Sequence, residues 1–357
     1  MVLVEDAPGS DTPAAAARLF ELITGHHGSS AVHVAARLGL GDLLAGGPRG
    51  VGDLARETGA DRTALLRLAR LLVSSGVLTE PEPEVFALTP VGEHLARDRP
   101  DSLHAVAMTM ASPGHQERWG SLGDAVRTGR SVVEHKGSEV FHEPPPEVIA
   151  LLHESLAFFS RYTVGAITAA YDFGGVGTVV DVGGGQGALL AAILDANPDV
   201  RGTLLEQAFI MDIARASLAE AGVADRCETV IGDFFRSVPA GADLYLLKSV
   251  LHDWNDERAV DLLVKVREAM KPGARLLVVE TVLGETARPA VADRIAARSD
   301  VMMLLSSIGG RERTEAEYRD LLARAGLRAT RFIPIRPAWT GVVSTSLVEA
   351  VTAESEG

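Results

Sequence analysis

The segment Thr178 to Gly187, T-V-V-D-V-G-G-G-Q-G, constrains this chain more than any other stretch of it. A β-branched run enters an acid and then a cluster of glycines, after which A-L-L-A-A-I-L at 188–194 has the apolar spacing of a buried helix. That order predicts a strand, a tight turn and a helix N-terminus. Glycine lets such a turn bring backbone close to a ligand, because no Cβ stands in the way. The dinucleotide fingerprint G-x-G-x-x-G is incomplete, since its last position falls on Ala188 and Gly187 comes one place early. The spacing therefore favours a nucleoside ligand without a pyrophosphate over NAD. Asp181 ends the strand, where it can accept hydrogen bonds from turn N–H groups or from an ammonium. The next apolar strand, R-G-T-L-L, ends in Glu206, an acid placed to take both hydroxyls of a ribose.

Further strands are expected near 227–231, 242–247, 274–280, 328–334 and 342–348, after those at 177–182 and 202–206. Helical patterns separate most of them, which predicts an α/β fold, a mostly parallel doubly wound sheet with its ligand beyond the carboxyl ends of the strands. The strand E-T-V-I-G delivers Asp233, Phe234 and Phe235, and an acid next to aromatic rings suits an adenine. D-L-Y-L-L delivers Lys248 and then the loop S-V-L-H-D-W-N-D, with His252, Asp253 and Trp254. R-L-L-V-V ends in Glu280, and a later loop, I-G-G-R-E-R-T, carries Glu312. An imidazole titrating near neutrality can take the proton of a weakly acidic hydroxyl while a carboxylate on its other nitrogen holds the ring. Two other readings stay open: a purely structural histidine, and a metal held by His252, Asp253 and Glu280, although no compact ligand spacing marks such a site. Asp253 or Asp256 is expected to cap the helix D-E-R-A-V-D-L-L-V.

Ahead of the sheet, residues 1–12 are small, acidic and proline-containing, and are expected to form a disordered tail. Residues 13–100 read as a helical, winged-helix domain. A helical pattern from Pro13 to Leu40 is interrupted by His26 and His27, Val51 and Asp61 open further helices, 77–80 and 85–89 form a hairpin, and Pro90 opens the next helix. Residues 101–170 read as a helical linker and pocket region, with Met108, Met110, Trp119, Phe141, Leu156, Phe158, Phe159 and Tyr162 as apolar candidates, and 171–357 as the ligand-binding domain. A winged helix raises the question of DNA. Its third helix offers only Arg62, Arg67 and Arg70, and the chain has 34 Lys+Arg against 48 Asp+Glu, a net charge of -14. A dimerisation or packing module is the expectation, with no nucleic acid as partner. A winged-helix regulator that senses the same ligand is the alternative from another class. Cys227 is the single cysteine, which excludes an intrachain disulfide and a cysteine-rich metal site. No apolar run approaches the about 18 residues of a membrane span, and Glu5 and Asp6 stand where a signal peptide is basic, so a soluble cytoplasmic protein is expected.

Taken together, D-V-G-G-G-Q-G at 181–187, G-D-F-F at 232–235, L-K-S-V-L-H-D-W at 247–254, M-K-P-G at 270–273 and G-G-R-E-R-T at 309–314 carry a family resemblance. They resemble the S-adenosylmethionine-dependent O-methyltransferases of the plant caffeate and isoflavone type, and more closely the actinobacterial relatives that decorate polyketide and mitomycin-like natural products. The likeness extends over nearly the whole chain. It implies a class I methyltransferase sheet behind an N-terminal winged-helix dimerisation domain, and a homodimer using S-adenosyl-L-methionine. It implies that Asp181, Gly183 and Gly185 surround the methionine moiety, Glu206 holds the ribose, Asp233 and Phe234 frame the adenine, and Lys248 lies beside the cofactor. His252 is then the general base, flanked by Glu280 and Glu312, with no metal required. The chain departs from the family at L-L-E-Q, where F-D-L-P is usual, and at Ser307, where the plant enzymes have asparagine. The apolar set Trp119, Leu156, Phe158, Phe159, Met302 and Met303 points to a flat, weakly charged aromatic acceptor, with Ser307 as a further pocket candidate; the resemblance implies that the acceptor bears a phenolic hydroxyl. N- or C-methylation, and a homologue that keeps the cofactor without methylating, are the competing chemistries.

Overall fold

The structure, a computed structural model, describes residues 12–131, 134, 146–335 and 345–353. Phe141 and the tail expected at 1–12, except its last residue, lie outside the described residues. The chain divides into two compact units, Met1–Glu117 with Pro146–Phe158, and Arg118–Pro145 with Phe159–Gly357.

In the first part of the chain, α1 (Thr12–Arg37) runs unbroken through His26 and His27, contrary to the expected interruption. Both rings are solvent-exposed, and an exposed helix face accepts polar side chains without breaking. After α2 (Leu40–Leu44), a two-residue β1 (Arg49–Gly50) precedes α3 (Val51–Thr58) and α4 (Arg62–Ser74). Asp61 caps α4 as expected, its carboxylate accepting the Ala64 N–H at 2.8 Å. The hairpin of β2 (Leu78–Glu82) and β3 (Val85–Leu88) pairs with β1 in the order β1-β3-β2. A two-residue strand has no sequence period, so β1 was invisible to pattern. A short 3-10 turn, Gly92–Leu95, stands where Pro90 was expected to open a helix. Leu40, Leu54, Leu65, Leu72 and Phe86 form the core of this unit. Then come α5 (His104–Met110), α6 (Pro113–Gly120), α7 (Leu122–Thr128) and α8 (Pro146–Ala170).

The rest of the chain alternates strand and helix: β4 (Thr178–Val182), α9 (Ala188–Ala196), β5 (Arg201–Glu206), α10 (Ala208–Glu220), β6 (Cys227–Ile231), β7 (Leu244–Lys248), α11 (Asp256–Ala269) and β8 (Arg275–Glu280). Then come β9 (Val282–Leu283), α12 (Val291–Ser306), β10 (Arg313–Thr314), α13 (Glu315–Arg324), β11 (Leu327–Ile335) and β12 (Thr345–Thr352). The main sheet has seven strands in the order β11-β12-β8-β7-β4-β5-β6. Five are parallel, and β12 enters antiparallel between β8 and β11. Successive residues of a strand face opposite sides, so the apolar runs serve two cores. Val180, Val182, Tyr245, Leu247, Leu276 and Val278 pack with α11 and α13, whereas Val179, Leu204, Leu244, Leu246, Leu277 and Val279 pack with α9 and α10. The chain passes from β4 outward through β5 and β6, then crosses to β7 on the other side of β4. The carboxyl end of β4 is thus a topological switch point, where open α/β sheets bind ligands.

Candidate active site

At that switch point the glycine turn takes left-handed backbone at Gly183, Gly185 and Gly187, with φ of 68°, 59° and 75°. The residue that most needs to be glycine is Gly184, which sequence reasoning did not single out. A Cβ there would lie 2.4 Å from Asp181 Oδ2 and 2.6 Å from Leu204 Cδ1. The backbone therefore closes directly over the Asp181 carboxylate. Asp181 is almost fully buried, and its Oδ1 has no hydrogen-bond partner. In the same region Gly185 donates its N–H to Glu206 Oε2 at 2.9 Å, and Gln207 its N–H to Glu206 Oε1 at 2.7 Å. Burial pushes the Asp181 carboxyl up to about 7, with Lys248 opposing the rise and Glu206 adding to it. Burial likewise raises Glu206 and lowers Lys248, whose ammonium feels Asp181 and Glu280. A buried acid with an orphaned oxygen, under a backbone that leaves room for no side chain, is a seat for a cationic group. Beyond β6, Asp233 is exposed and accepts the Phe235 N–H at 2.9 Å. Phe234, Phe235 and Trp254 meet edge to face, with centroids 4.8–6.2 Å apart, and form an aromatic wall beside it.

The loop after β7 starts with Ser249 at φ 55°, a left-handed conformation rare outside glycine, and then makes the 3-10 turn Leu251–Asp253 that presents His252. Glu280 Oε1 anchors this turn by accepting the Val250 and Leu251 N–H groups at 2.9 and 2.8 Å. The helix after it is capped by Asn255, which accepts the Arg258 N–H, and not by Asp253 or Asp256. Asp253 instead faces His252 Nε2 at 3.8 Å, and Asp256 receives Arg311 and Arg313.

Glu312 arrives from far along the chain. β9 directly follows the strand that ends in Glu280, and it pairs in parallel with β10, which starts one residue after Glu312. The two acids therefore converge on His252 Nδ1, with Glu280 Oε2 and Glu312 Oε1 each 3.2 Å away. The hydrogen-bond geometry is met by Glu312. With carboxylates on that side, Nδ1 carries a proton and Nε2 is the nitrogen left for chemistry. Burial acts to lower the imidazole, but Glu280, Glu312 and Asp253 outweigh it and lift His252 to about 10. The expectation of titration near neutrality is thus displaced upward in the ligand-free protein. His252, Glu280 and Glu312 also lie within 4.8 Å of one another, a spacing that metal sites share, whereas the set weighed from sequence had Asp253 in place of Glu312. Here Glu280 Oε1 accepts two backbone N–H groups and Glu312 Oε1 accepts the Ser299 hydroxyl beside His252, while Glu280 Oε2 and Glu312 Oε2 are buried without a hydrogen-bond partner.

Residues that pattern did not reveal hold this cluster together. Arg313, fully buried, donates to the carbonyls of Leu251 and Trp254 at 3.0 and 2.8 Å, on either side of His252, and to Asp256 Oδ1. Gly310 packs so closely that a Cβ would stand 2.3 Å from the His252 carbonyl oxygen and from Ser307 Oγ. Ser299 donates its hydroxyl to Glu312 Oε1 at 2.6 Å, and Asp300 accepts the Glu312 N–H at 2.9 Å. The only sequence signal for these contacts was the G-G-R-E-R-T run itself.

The acceptor candidates separate by unit. Trp119, Phe159, Met302 and Met303 are half-buried in the second, and Ser307 there is buried with its hydroxyl committed to the Met303 carbonyl at 2.6 Å. Leu156, exposed, and Phe158, buried, belong to the first.

Residues 119–328 match the model of the O-methyltransferase domain, and 20–98 match that of the O-methyltransferase dimerisation domain. The chain belongs to the O-methyltransferase family. This O-methyltransferase is an S-adenosylmethionine-dependent enzyme of secondary metabolism. It is 40% identical over 333 residues, 92% of this chain and 93% of the other, to the mitomycin biosynthesis 6-O-methyltransferase of Streptomyces lavendulae. Among solved structures, the mitomycin 7-O-methyltransferase MmcR superposes with a TM-score of 0.87 at 39% identity, over 97% of this chain and 100% of that one. The O-methyltransferase NcsB1 of neocarzinostatin biosynthesis, solved with S-adenosylmethionine and 2-hydroxy-5-methyl naphthoic acid, gives 0.75 at 33% identity, over 91% and 95%. Its affinity is thus with bacterial antibiotic-pathway enzymes. Among the described residues, no helix is long and apolar enough to cross a membrane.

Proposed function

We propose that this enzyme methylates a phenolic hydroxyl of a small aromatic secondary metabolite and that His252 is the base that takes the hydroxyl proton. The observation that carries the reading is the placement of the half-buried His252 against two buried acids, Glu280 and Glu312, at the same end of the sheet as Asp181. Bound S-adenosylmethionine supplies a methyl on a sulfonium, a good leaving group. The chain then has mainly to align the acceptor, exclude water and receive one proton. Asp181 would hold the amino group of the cofactor, with Gly183 and Gly185 in the same turn. Glu206 would take the ribose through the lone pairs its two N–H partners leave free, Asp233 and Phe234 would frame the adenine, and Lys248 tempers the charge of Asp181. A phenol has a pKa of about 10, and an imidazole lifted to about 10 is matched to it, so the proton moves to Nε2 without a large uphill step. Glu312 and Glu280 keep the Nδ1 proton in place and balance the imidazolium formed.

Trp119, Phe159, Met302 and Met303 favour a flat, weakly charged acceptor. The homodimer is supported by the dimerisation-domain match and by exposed apolar residues on α1. The plant caffeate and isoflavone likeness rests on the motif set alone.

His252→Ala tests the reading. Turnover of an acceptor whose phenol is un-ionised should fall roughly 10²–10⁴-fold while cofactor affinity stays within a few-fold, and the loss should shrink for phenols already ionised. Near-wild-type turnover on a high-pKa phenol would assign the proton to another group. Activity abolished by a chelator and restored by a divalent ion would favour a metal. Matched hydroxyl and amine acceptors separate O- from N-transfer.

A further inference from the structure

Serine and threonine hydroxyls inside helices usually turn back onto the carbonyl one turn earlier. Several in this chain do so: Thr163 to Phe159, Thr168 to Val164, Ser30 to His26. Ser299, inside α12, does not. It reaches out of its helix to Glu312 Oε1, the oxygen that also faces His252 Nδ1, and its bond at 2.6 Å is shorter than the 3.2 Å contact from the imidazole. The next residue, Asp300, holds the Glu312 main chain at 2.9 Å, so α12 grips this acid at both its backbone and its carboxylate. The other oxygen, Oε2, is buried without a hydrogen-bond partner, so His252 and Ser299 meet the carboxylate at the same oxygen, Oε1.

We propose that Ser299 is a positioning residue for methyl transfer: its hydroxyl draws charge from Glu312 Oε1 and limits how tightly that carboxylate holds the proton on His252. An O–H donor to a carboxylate weakens it as an acceptor for any second donor. Without it, the imidazole N–H becomes the main partner of Oε1, the imidazolium gains stability, and the ring is a less available base below its titration point. The other charged groups here are accounted for. His252 faces Glu280, Glu312 and Asp253, while Lys248 and Tyr318 lie near Glu280, and Asp300 and Tyr318 near Glu312. Arg311 and Arg313 flank Glu312 in the chain, but their guanidinium groups are committed to Asp256 and, for Arg311, also Glu317. Ser299 is thus the neutral donor through which the charge on Oε1 is set. This inference rests on His252 being the base.

The test compares Ser299→Ala and Ser299→Thr with the wild-type full-length protein. The His252 ring is titrated by NMR in the presence of S-adenosylhomocysteine, and kcat/KM is measured against pH on one phenol. Ser299→Ala should raise the ring titration point and the acid limb of the rate profile together, by roughly half to one pH unit. Below that limb its turnover should fall about 3–10-fold, with cofactor affinity changed less than about 2-fold. Ser299→Thr keeps the hydroxyl and should titrate as wild type. A folded Ser299→Ala with an unmoved or lowered titration point overturns the proposal. So does a Ser299→Thr that shifts as far as a donor-free site, which stands as the criterion if the alanine variant does not fold. If His252→Ala keeps its turnover, the base assignment fails, and the NMR titration still decides whether Ser299 sets the proton affinity of the ring.

Discussion

Asp181 is the residue whose ionisation the fold controls most directly. Its folded value of about 7 lies far above that of an exposed aspartate, first because of burial. The stability it permits is therefore fully present below the unfolded value and is lost as pH rises through about 7, when the buried charge forms. A cation placed against it reverses the preference. S-adenosylmethionine should bind with release of a proton below about pH 7 and more tightly as pH rises from about 6 to 8. Calorimetry in buffers of different ionisation enthalpy reads the proton directly, and buffer-independent enthalpies would show that Asp181 does not face the cofactor ammonium. Asp181→Asn should abolish the proton release. His252 follows the opposite logic, because nearby carboxylates favour its charged form. The rate on an un-ionised phenol should therefore climb with pH toward about 10, and a plateau by pH 7 would mean that bound ligands bring the imidazole down.

Among the elements, the short β9–β10 pairing and the glycine pair before Glu312 bring the second acid to the imidazole. Gly310→Ala forces a methyl to within 2.3 Å of the His252 carbonyl oxygen, so the loop must move or the turn must distort. Overpacking of this kind costs about 1–3 kcal/mol. The expected result is a lower Tm and a kcat reduced by roughly tenfold or more with cofactor affinity retained; an unchanged kcat would show that Glu312 is not positioned by this loop. On the β12 side of the sheet, Glu349 accepts from Tyr171, Thr330 and Arg331 at 2.6–3.0 Å, and so ties the end of α8 to β11 and β12. Burial alone would raise this acid, but its donors hold it down at about 2. Its stabilisation is present above the unfolded value and lost as pH falls through about 2. Glu349→Ala should destabilise by about 2–4 kcal/mol at pH 7, a gap that narrows on acidification. Urea melts at pH 7 and at pH 3 measure both terms.

At the scale of the whole molecule, α1 leaves Leu19, Phe20, Leu22 and Ile23 between 58% and 66% exposed, and this contiguous apolar face is what a dimerisation domain buries. Light scattering at micromolar concentration should give a dimer, and Leu22→Glu with Ile23→Glu should give a monomer of reduced activity or solubility. A wild-type monomer would refute the assembly. Removing residues 1–100 should leave insoluble or inactive protein. DNA is a poor partner, because the chain has a net charge of -14 and the third helix of the winged fold pairs Arg62 with Glu84 and Arg70 with Glu80.

Local pattern sufficed wherever the physics is local. Short continuous apolar runs, buried on both faces, specify the central strands, a glycine cluster after an acid specifies the turn at Gly183–Gly187, and an aspartate before an apolar helix specifies the Asp61 cap. His252, Glu280, Asp181 and Glu206 were legible for the same reason, since each lies at or just after the end of a strand whose direction the βα alternation determines. Glu312 stood out in the sequence as a carboxylate of a later loop, but its place beside His252 came only with the family motif, because nothing near it in sequence says which strand it will meet. The identity of the cap, Asn255, was misread because the neighbouring acids are equally good cap residues, and their engagement with His252, Arg311 and Arg313 is decided by distant chain. The need for no side chain at Gly184 and Gly310, the clasp of Arg313, the donor at Ser299 and the direction in which each buried acid and the imidazole titrate all arise where segments far apart in sequence are pressed together. Burial and through-space charge are properties of that packing, and only the tertiary structure sets them.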